Sequence, residues 1–420
     1  MRVVAIADSD SYVKWAAATL AALPDDVERS LVIVDTRAAP SATQRSAALH
    51  GSGIGSDDVT LATLPELRRV IAPRGADVVL VATRGPQARV LLRELAKLDP
   101  RPVLVSGMPG ISVPATRKAL IFRHQADLFV VHSRREVREF RVLARELGAD
   151  RAIAMAALPF ARESVAQQAE GEDLVFAVQS VVPAELDDRR AVARMLIAAA
   201  EDDPGRRVVV KVRAMGAERQ THDERFPIPD LIAAELEGRR MPQNLVVSGE
   251  PMSTALERAH GLVTVSSTAV LEAIARRIPV IALDDFGISP VLINEVFRGS
   301  GLFGGADDVV ARRFRHPDPS WVDDNYFHAP AQDDLVPRLR ELVEARRAGE
   351  LAPRAAQPLW GGALRLRWQR MLAFPDSEPR SVRVALLTVG VPARAGAVLV
   401  RRARRAVRAY RGRLIDQTVP

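Results

Sequence analysis

The chain has 420 residues, 48% hydrophobic and 26% charged, the balance of an ordered soluble protein too long for one compact core. It contains no cysteine, which excludes structural disulfides and thiolate metal sites. The net charge of +7 is modest but uneven, with eight arginines and no acid between Arg394 and Arg413, and lysine occurs only four times. The N-terminal MRVVAIADSD carries acids where a secretory signal needs an apolar run, and no stretch reaches the roughly 18 apolar residues of a membrane span. A cytoplasmic protein is expected.

In chain order, 2–7 (RVVAIA) reads as a strand and 12–22 as a helix. Then come strand 77–83, helix 86–97, strands 101–107 and 127–133, and helix 134–147. Continuous apolar strands separated by helices indicate a buried parallel sheet. The polar stretch 161–173 reads as a linker. A second set follows, with strands 174–180, 206–214, 244–250, 261–267 and 279–285 and helices 188–201, 251–259 and 268–277. Two doubly wound α/β domains are predicted, over 1–160 and 174–345, with a basic helical extension over 350–420. That extension holds helices at 359–374 and 394–413. In such sheets ligands lie beyond the carboxyl ends of the strands.

The stretch GLVTVSSTAVLEAIARRIPVIALDDFG (261–287) stands out. A helix start offers unpaired N–H groups and partial positive charge, and Ser266 and Ser267 add hydroxyls that either cap the helix or hold a phosphate. Glu272, further along, either faces solvent or accepts from the two hydroxyls of a ribose. Lys211 and Arg213 leave the carboxyl end of an earlier strand, with His222 in the loop beyond. Lys211 is one of the four lysines, and its compact ammonium suits a phosphate contact.

At the end of the first strand, Asp8 and Asp10 flank Ser9, with Ser11 available as a helix cap. Either carboxylate can act as a base toward a hydroxyl at the mouth of a cleft, or simply favour the helix end. Gly107 and Gly110 sit in a loop after a strand and either permit close backbone approach to a ligand or serve the conformation of the turn alone. Arg123 and His132 are placed for a ligand contact or for a structural one. Asp284 and Asp285 suggest a metal, yet no partner acid motif appears in the first half, and no metal is expected. The aromatic-rich 321–330 is expected to pack at the domain junction. The arginine-rich tail is read either as a helix on an anionic membrane surface or as a solvated helix. Nucleic-acid binding ranks below both.

The order strand–Ser-Ser-Thr–helix–Glu-Ala–IPVIAL resembles the donor-nucleotide segment of GT-B glycosyltransferases, including bacterial capsule and polysialic-acid transferases with a Ser-Ser motif. The wider pattern, with GMPGISVPATRKALIFRHQADLFVVHSRREVREF, is similar to uncharacterised glycosyltransferases of high-GC bacteria over most of 1–345. There is no His-Pro where the capsule enzymes carry one, which sets this chain apart from them. The strand carrying Gln179 resembles the first strand of a GT-B C-terminal domain. The resemblance implies a metal-independent transferase with a GT-B arrangement and no cofactor. It would move a sugar from a nucleotide-sugar donor to a cell-envelope glycan or lipid-linked acceptor. Gln179, Lys211, Arg213, His222, Ser266, Ser267, Thr268 and Glu272 would hold the donor. Asp8 or Asp10 would be the base, and Gly107, Gly110, Arg123 and His132 would face the acceptor. A sugar-nucleotide 2-epimerase and a non-catalytic nucleotide-sugar-binding protein remain as alternatives. The epimerase needs acids and histidines that this sequence does not visibly gather.

Overall fold

The computed structural model describes residues 1–55, 58–148, 151–158, 171–212, 224–355 and 362–388, with 390 and 392. Residues 1–62 and 66–356 form one compact unit holding two parallel sheets, and 63–65 with 357–420 form a second. The first sheet is built from β1 (Arg2–Ala7), α1 (Asp10–Ala21), β2 (Glu28–Val34), α2 (Ala42–Leu49), β3 (Val59–Ala62), α3 (Leu67–Ile71), β4 (Val78–Ala82), α4 (Gly85–Leu95), β5 (Val103–Gly107), α5 (Arg117–Phe122), β6 (Leu128–Val131), α6 (Arg134–Glu146) and β7 (Ala152–Met155). The second contains β8 (Asp173–Ala177), α7 (Leu186–Asp202), β9 (Val208–Lys211), α8 (Ile228–Glu235), β10 (Leu245–Ser248), α9 (Met252–Glu257), β11 (Ala259–Thr264), α10 (Ala269–Ala275), β12 (Val280–Leu283) and β13 (Phe303–Gly304). After it come α11 (Ala306–Val310), α12 (Pro319–Asp324), α13 (Leu335–Arg347) and, in the second unit, α14 (Gly362–Ala373).

The central strands β4, β5 and β8 are buried along their whole length, because helices cover both faces of each sheet. This is why they read as unbroken apolar runs. The stretch 23–76, to which the sequence analysis assigns no element, holds β2, α2, β3 and α3. Its signals are weak for physical reasons: β3 is a four-residue edge strand, and α2 buries only Ala48 and Leu49. The expected linker over 161–173 lies almost wholly outside the described residues, and its last residue, Asp173, already belongs to β8. The helix expected over 394–413 lies outside them entirely.

The strand order is β3-β2-β1-β4-β5-β6-β7 in the first sheet and β10-β9-β8-β11-β12-β13 in the second, with every ladder parallel. Each order reverses direction once, between β1 and β4 and between β8 and β11. These two switch points open the crevices where α/β sheets take ligands. One apolar cluster runs through both sheets, joining Trp15, Val105 and Val130 to Val175, Leu262 and Val270.

The chain then returns to the first sheet's side. Tyr326 donates to Glu136 of α6 at 2.6 Å, Arg138 holds Asp324 through two bonds of 2.6 Å, and Asp334 accepts from Met155 N at 2.6 Å. The aromatic stretch 321–330 therefore packs at the domain junction, as its composition suggests. Among the described residues no helix is long and apolar enough to cross a membrane.

Candidate functional site at the two switch points

At the second switch point, β8 ends toward Gln179 and β11 toward Ser266. The Gln179 carboxamide bridges to the serine, its Oε1 accepting from Ser266 N at 2.8 Å and its Nε2 donating to Ser266 Oγ at 3.1 Å. Thr264 Oγ1 donates to the same Oε1 at 3.3 Å. Arg189, buried in α7, steadies the strand end by donating to Gln179 O at 3.0 Å and pairing with Glu224. Burial pulls the Arg189 pKa down and pushes that of Glu224 up.

The residue that immediately precedes α10 is Thr268, neither of the serines, and its side chain makes no capping bond. The expectation that a serine caps this helix is corrected one position along the chain. Ser267 Oγ instead accepts from Ala269 N at 3.2 Å. Ser266 is buried, whereas Ser267 and Thr268 are partly exposed.

Glu272 lies in the first turn of α10 and does not face solvent. Its side chain is 10% exposed and is met by Lys14 Nζ at 3.1 Å, an ammonium carried by α1 of the first domain. Lys14 was not singled out from sequence, though it is another of the four lysines and carries the same rarity signal as Lys211. At the same turn a second approach is made from the first sheet: a Cβ placed on Gly110 would stand 2.9 Å from the Thr268 side-chain Cγ2. Thus Gly110 faces the Ser-Ser-Thr turn directly. Lys211 ends β9 opposite Ala177, 7% exposed, with its ammonium donating to Val212 O. Arg213 and His222 lie outside the described residues.

At the first switch point, the structure separates the two aspartates. Asp8 is fully buried and does not stand at the mouth of a cleft. Arg84, just after β4, binds it through Nε at 2.9 Å and through its backbone N at 3.2 Å. Burial raises the Asp8 pKa, and the Arg84 guanidinium only partly offsets this. A base must reach its proton, so the role expected of Asp8 does not fit this placement. Asp10 opens α1 and is partly exposed. The residue preceding that helix is Ser9, whose hydroxyl donates to Asp8 at 3.2 Å, and Ser11 lies inside the helix.

Three of the four expected acceptor contacts also prove to be internal. Arg123 is 2% exposed and spends its guanidinium on Tyr12 Oη, Ser106 Oγ and Thr83 O at 2.8–3.1 Å. His132 is buried against Trp15, with Nδ1 2.7 Å from Ala156 O and Nε2 2.7 Å from Met108 O. Gly107 is required by packing, since a Cβ there would lie 2.6 Å from Val130 O and 2.9 Å from the Trp15 ring.

Glu136 completes the bracing, accepting from Ser112 N, His132 N and Tyr326 Oη at 2.6–2.7 Å. His132 and Glu136 therefore hold the two ends of the loop 108–112 that presents Gly110. Asp285 accepts from Ala306 N at 3.2 Å. Among the described residues no group of three or more His, Asp and Glu side chains is gathered that could hold a metal ion.

Two Rossmann-like sheets with their carboxyl ends opposed, joined by a chain that returns to the first, define the GT-B arrangement. The family model described as "Putative glycosyltransferase (DUF6716)" matches residues 3–342, and the chain belongs to that family. The same fold is seen in the "putative UDP-N-acetylglucosamine 2-epimerase" of Listeria monocytogenes, with a TM-score of 0.55 and 13% identity over 86% of this chain and 99% of that one. It is seen also in the Methanocaldococcus jannaschii UDP-GlcNAc 2-epimerase solved with UDP-GlcNAc and UDP, with a TM-score of 0.53 and 11% identity over 81% and 99% of the two chains. The S. aureus MnaA–UDP structure has a TM-score of 0.52 and 11% identity over 86% and 100%. No curated protein matches the chain.

Proposed function

We propose that this protein is a glycosyltransferase that moves a sugar from a nucleotide-sugar donor to a cell-envelope glycan or lipid-linked acceptor at the cytoplasmic side. The carrying observation is the second switch point, where Gln179, Ser266, Ser267 and Thr268 converge and Lys14 and Gly110 approach from the opposite sheet. The donor nucleotide lies on the domain of 174–345. Its phosphate is held by Ser267, Thr268 and the backbone of the turn that Gln179 and Ser266 fix. Lys211 and Arg213 meet the charge of the leaving group, with His222 in the loop beside them. Glu272 accepts from the ribose hydroxyls, which replace Lys14 as its partner. The acceptor enters over the domain of 1–160, where Asp10 takes the proton of the attacking hydroxyl. Closure of the two sheets around the donor excludes water.

Epimerisation of a nucleotide sugar is the second reading, supported by the fold likeness to the enzymes of Listeria and Methanocaldococcus. It needs acids and histidines directed into the cleft, and His132 is instead committed to backbone carbonyls and Glu136 to backbone N–H groups and the Tyr326 hydroxyl. Thermal-shift titration with nucleoside mono- and diphosphates tests the donor site, and product analysis with UDP-, GDP- and CMP-sugars tests the reaction. A transferred sugar supports the transferase, an isomerised nucleotide sugar the epimerase, and binding without turnover a non-catalytic role. If no nucleotide stabilises the protein, the donor-site reading fails.

A further inference from the structure

The charge of the chain is divided sharply. Residues 357–420 carry thirteen arginines, no lysine and three acids, a net +10 in a chain of net +7, so the remaining residues carry a net −3. The described part of this basic unit is α14 and a helix over 380–388, which pack together where a Cβ on Gly390 would meet the Trp368 ring at 2.3 Å. Its only two carboxylates within 362–388 are already engaged, Glu378 by Arg367 and Arg370, and Asp376 by Arg383. Thirteen arginines thus share three acids within their own unit, and of the five described ones Arg367, Arg370 and Arg383 are those that engage them, while Arg365 and Arg380 are exposed.

Large apolar side chains stand out among these arginines. Leu364, Leu372, Val384 and Leu387 are 57%, 45%, 54% and 42% exposed, while Met371, Phe374 and Leu386 of the same unit are buried. The pattern has helical spacing. Arg380, Val384 and Leu387 follow i, i+4 and i+7, and Arg365 and Leu372 are seven residues apart, so charge and aliphatic bulk share a face. Exposing four such residues beside a strong positive field is costly in water. It is favourable where the aliphatic groups enter an apolar layer and the guanidinium groups remain among anionic headgroups. A nucleic acid would reward the charge but not the leucines, since it is bound through phosphate contacts and aromatic stacking.

We propose that the two-helix unit of α14 and 380–388 docks on the surface of an anionic phospholipid bilayer, inserting Leu364, Leu372, Val384 and Leu387 between headgroups that its arginines neutralise. This surface is independent of the donor-site reading and would keep the enzyme body at a membrane whichever sugar it handles.

The test is co-sedimentation of the full chain with vesicles of phosphatidylcholine alone and of an equimolar mixture with phosphatidylglycerol. Binding to the anionic vesicles is expected, weakening with added salt. Leu364→Glu combined with Leu387→Glu should lower the vesicle partition coefficient by about tenfold. Arg365→Gln combined with Arg380→Gln should lower it by about thirtyfold, at roughly 1 kcal/mol of attraction per basic residue. Both pairs are exposed, so an unchanged thermal unfolding midpoint checks that the fold is kept. Equal binding to both vesicle types, no binding to either, or leucine variants that bind like the wild type would each overturn the proposal. So would tight retention by duplex DNA or RNA together with indifference to vesicles.

Discussion

Residue by residue, the candidate site is made of pairs that constrain one another. Glu272 is held by a half-exposed lysine, and an exposed partner contributes little, about 0.5 kcal/mol, to stability. Lys14→Met should therefore hardly change the unfolding free energy. Calorimetric titration with the nucleoside that stabilises the wild type should show binding two- to fivefold tighter, because the ribose no longer displaces an ammonium. In Glu272→Gln the stabilisation by nucleotide should fall by more than half, and an undiminished shift would move the ribose site elsewhere.

Asp8 carries a pH signature. Its folded pKa is raised by burial above the usual 3.8, so folding takes up a proton between that value and the folded one. The unfolded chain binds fewer protons in this window, and stability must fall as pH rises through it. Denaturant titrations at stepped pH should show this slope in the wild type and a flatter one in Asp8→Asn.

At the level of elements, the loop 108–112 is where structural support and the candidate site meet. Gly107 and Gly110 look alike in sequence but sit in different surroundings. Gly107→Ala drives a methyl into Val130 O and the Trp15 ring and should cost about 1–3 kcal/mol of stability. Gly110→Ala presses on Thr268 across the gap between the sheets, so its main effect should be weaker nucleotide binding, several-fold by titration, with a smaller loss of stability.

Tyr326→Phe tests the return of the chain. It leaves the buried Glu136 with one donor fewer and should lower the unfolding free energy by about 1–3 kcal/mol in urea titration. The strand pattern around this loop was legible because β5 and β6 are buried runs. The roles of Arg123 and His132 were not, since nothing local distinguishes a polar side chain that turns inward onto carbonyls from one that meets a ligand.

For the whole molecule, the apolar cluster shared by both sheets and the bonds from α12 and α13 to the first sheet's side tie residues 1–62 and 66–356 into one compact unit. Urea unfolding followed by far-ultraviolet dichroism and by tryptophan fluorescence should therefore give coincident curves. Trp15 and Trp321 are both buried in this body, Trp360 and Trp368 belong to the second unit, and two separated transitions in a Trp360→Phe, Trp368→Phe background would show that the sheets unfold independently.

Repeated apolar runs alternating with helices, the turn carrying Ser266 and Ser267, and the concentration of arginine after residue 390 are properties of the linear chain. They determined the α/β class, the tandem arrangement and the place of one switch point, because burial on both faces of a parallel strand leaves a continuous apolar signature. The partners of the polar residues are long-range, and only the folded chain decided them. Lys14 and Glu272 are 258 positions apart, and Asp8 and Arg84 are 76 apart. Asp8 and Arg84 meet because strand order sets β1 beside β4, and Lys14 and Glu272 because α1 of one sheet faces α10 of the other, relations that no local window of sequence contains.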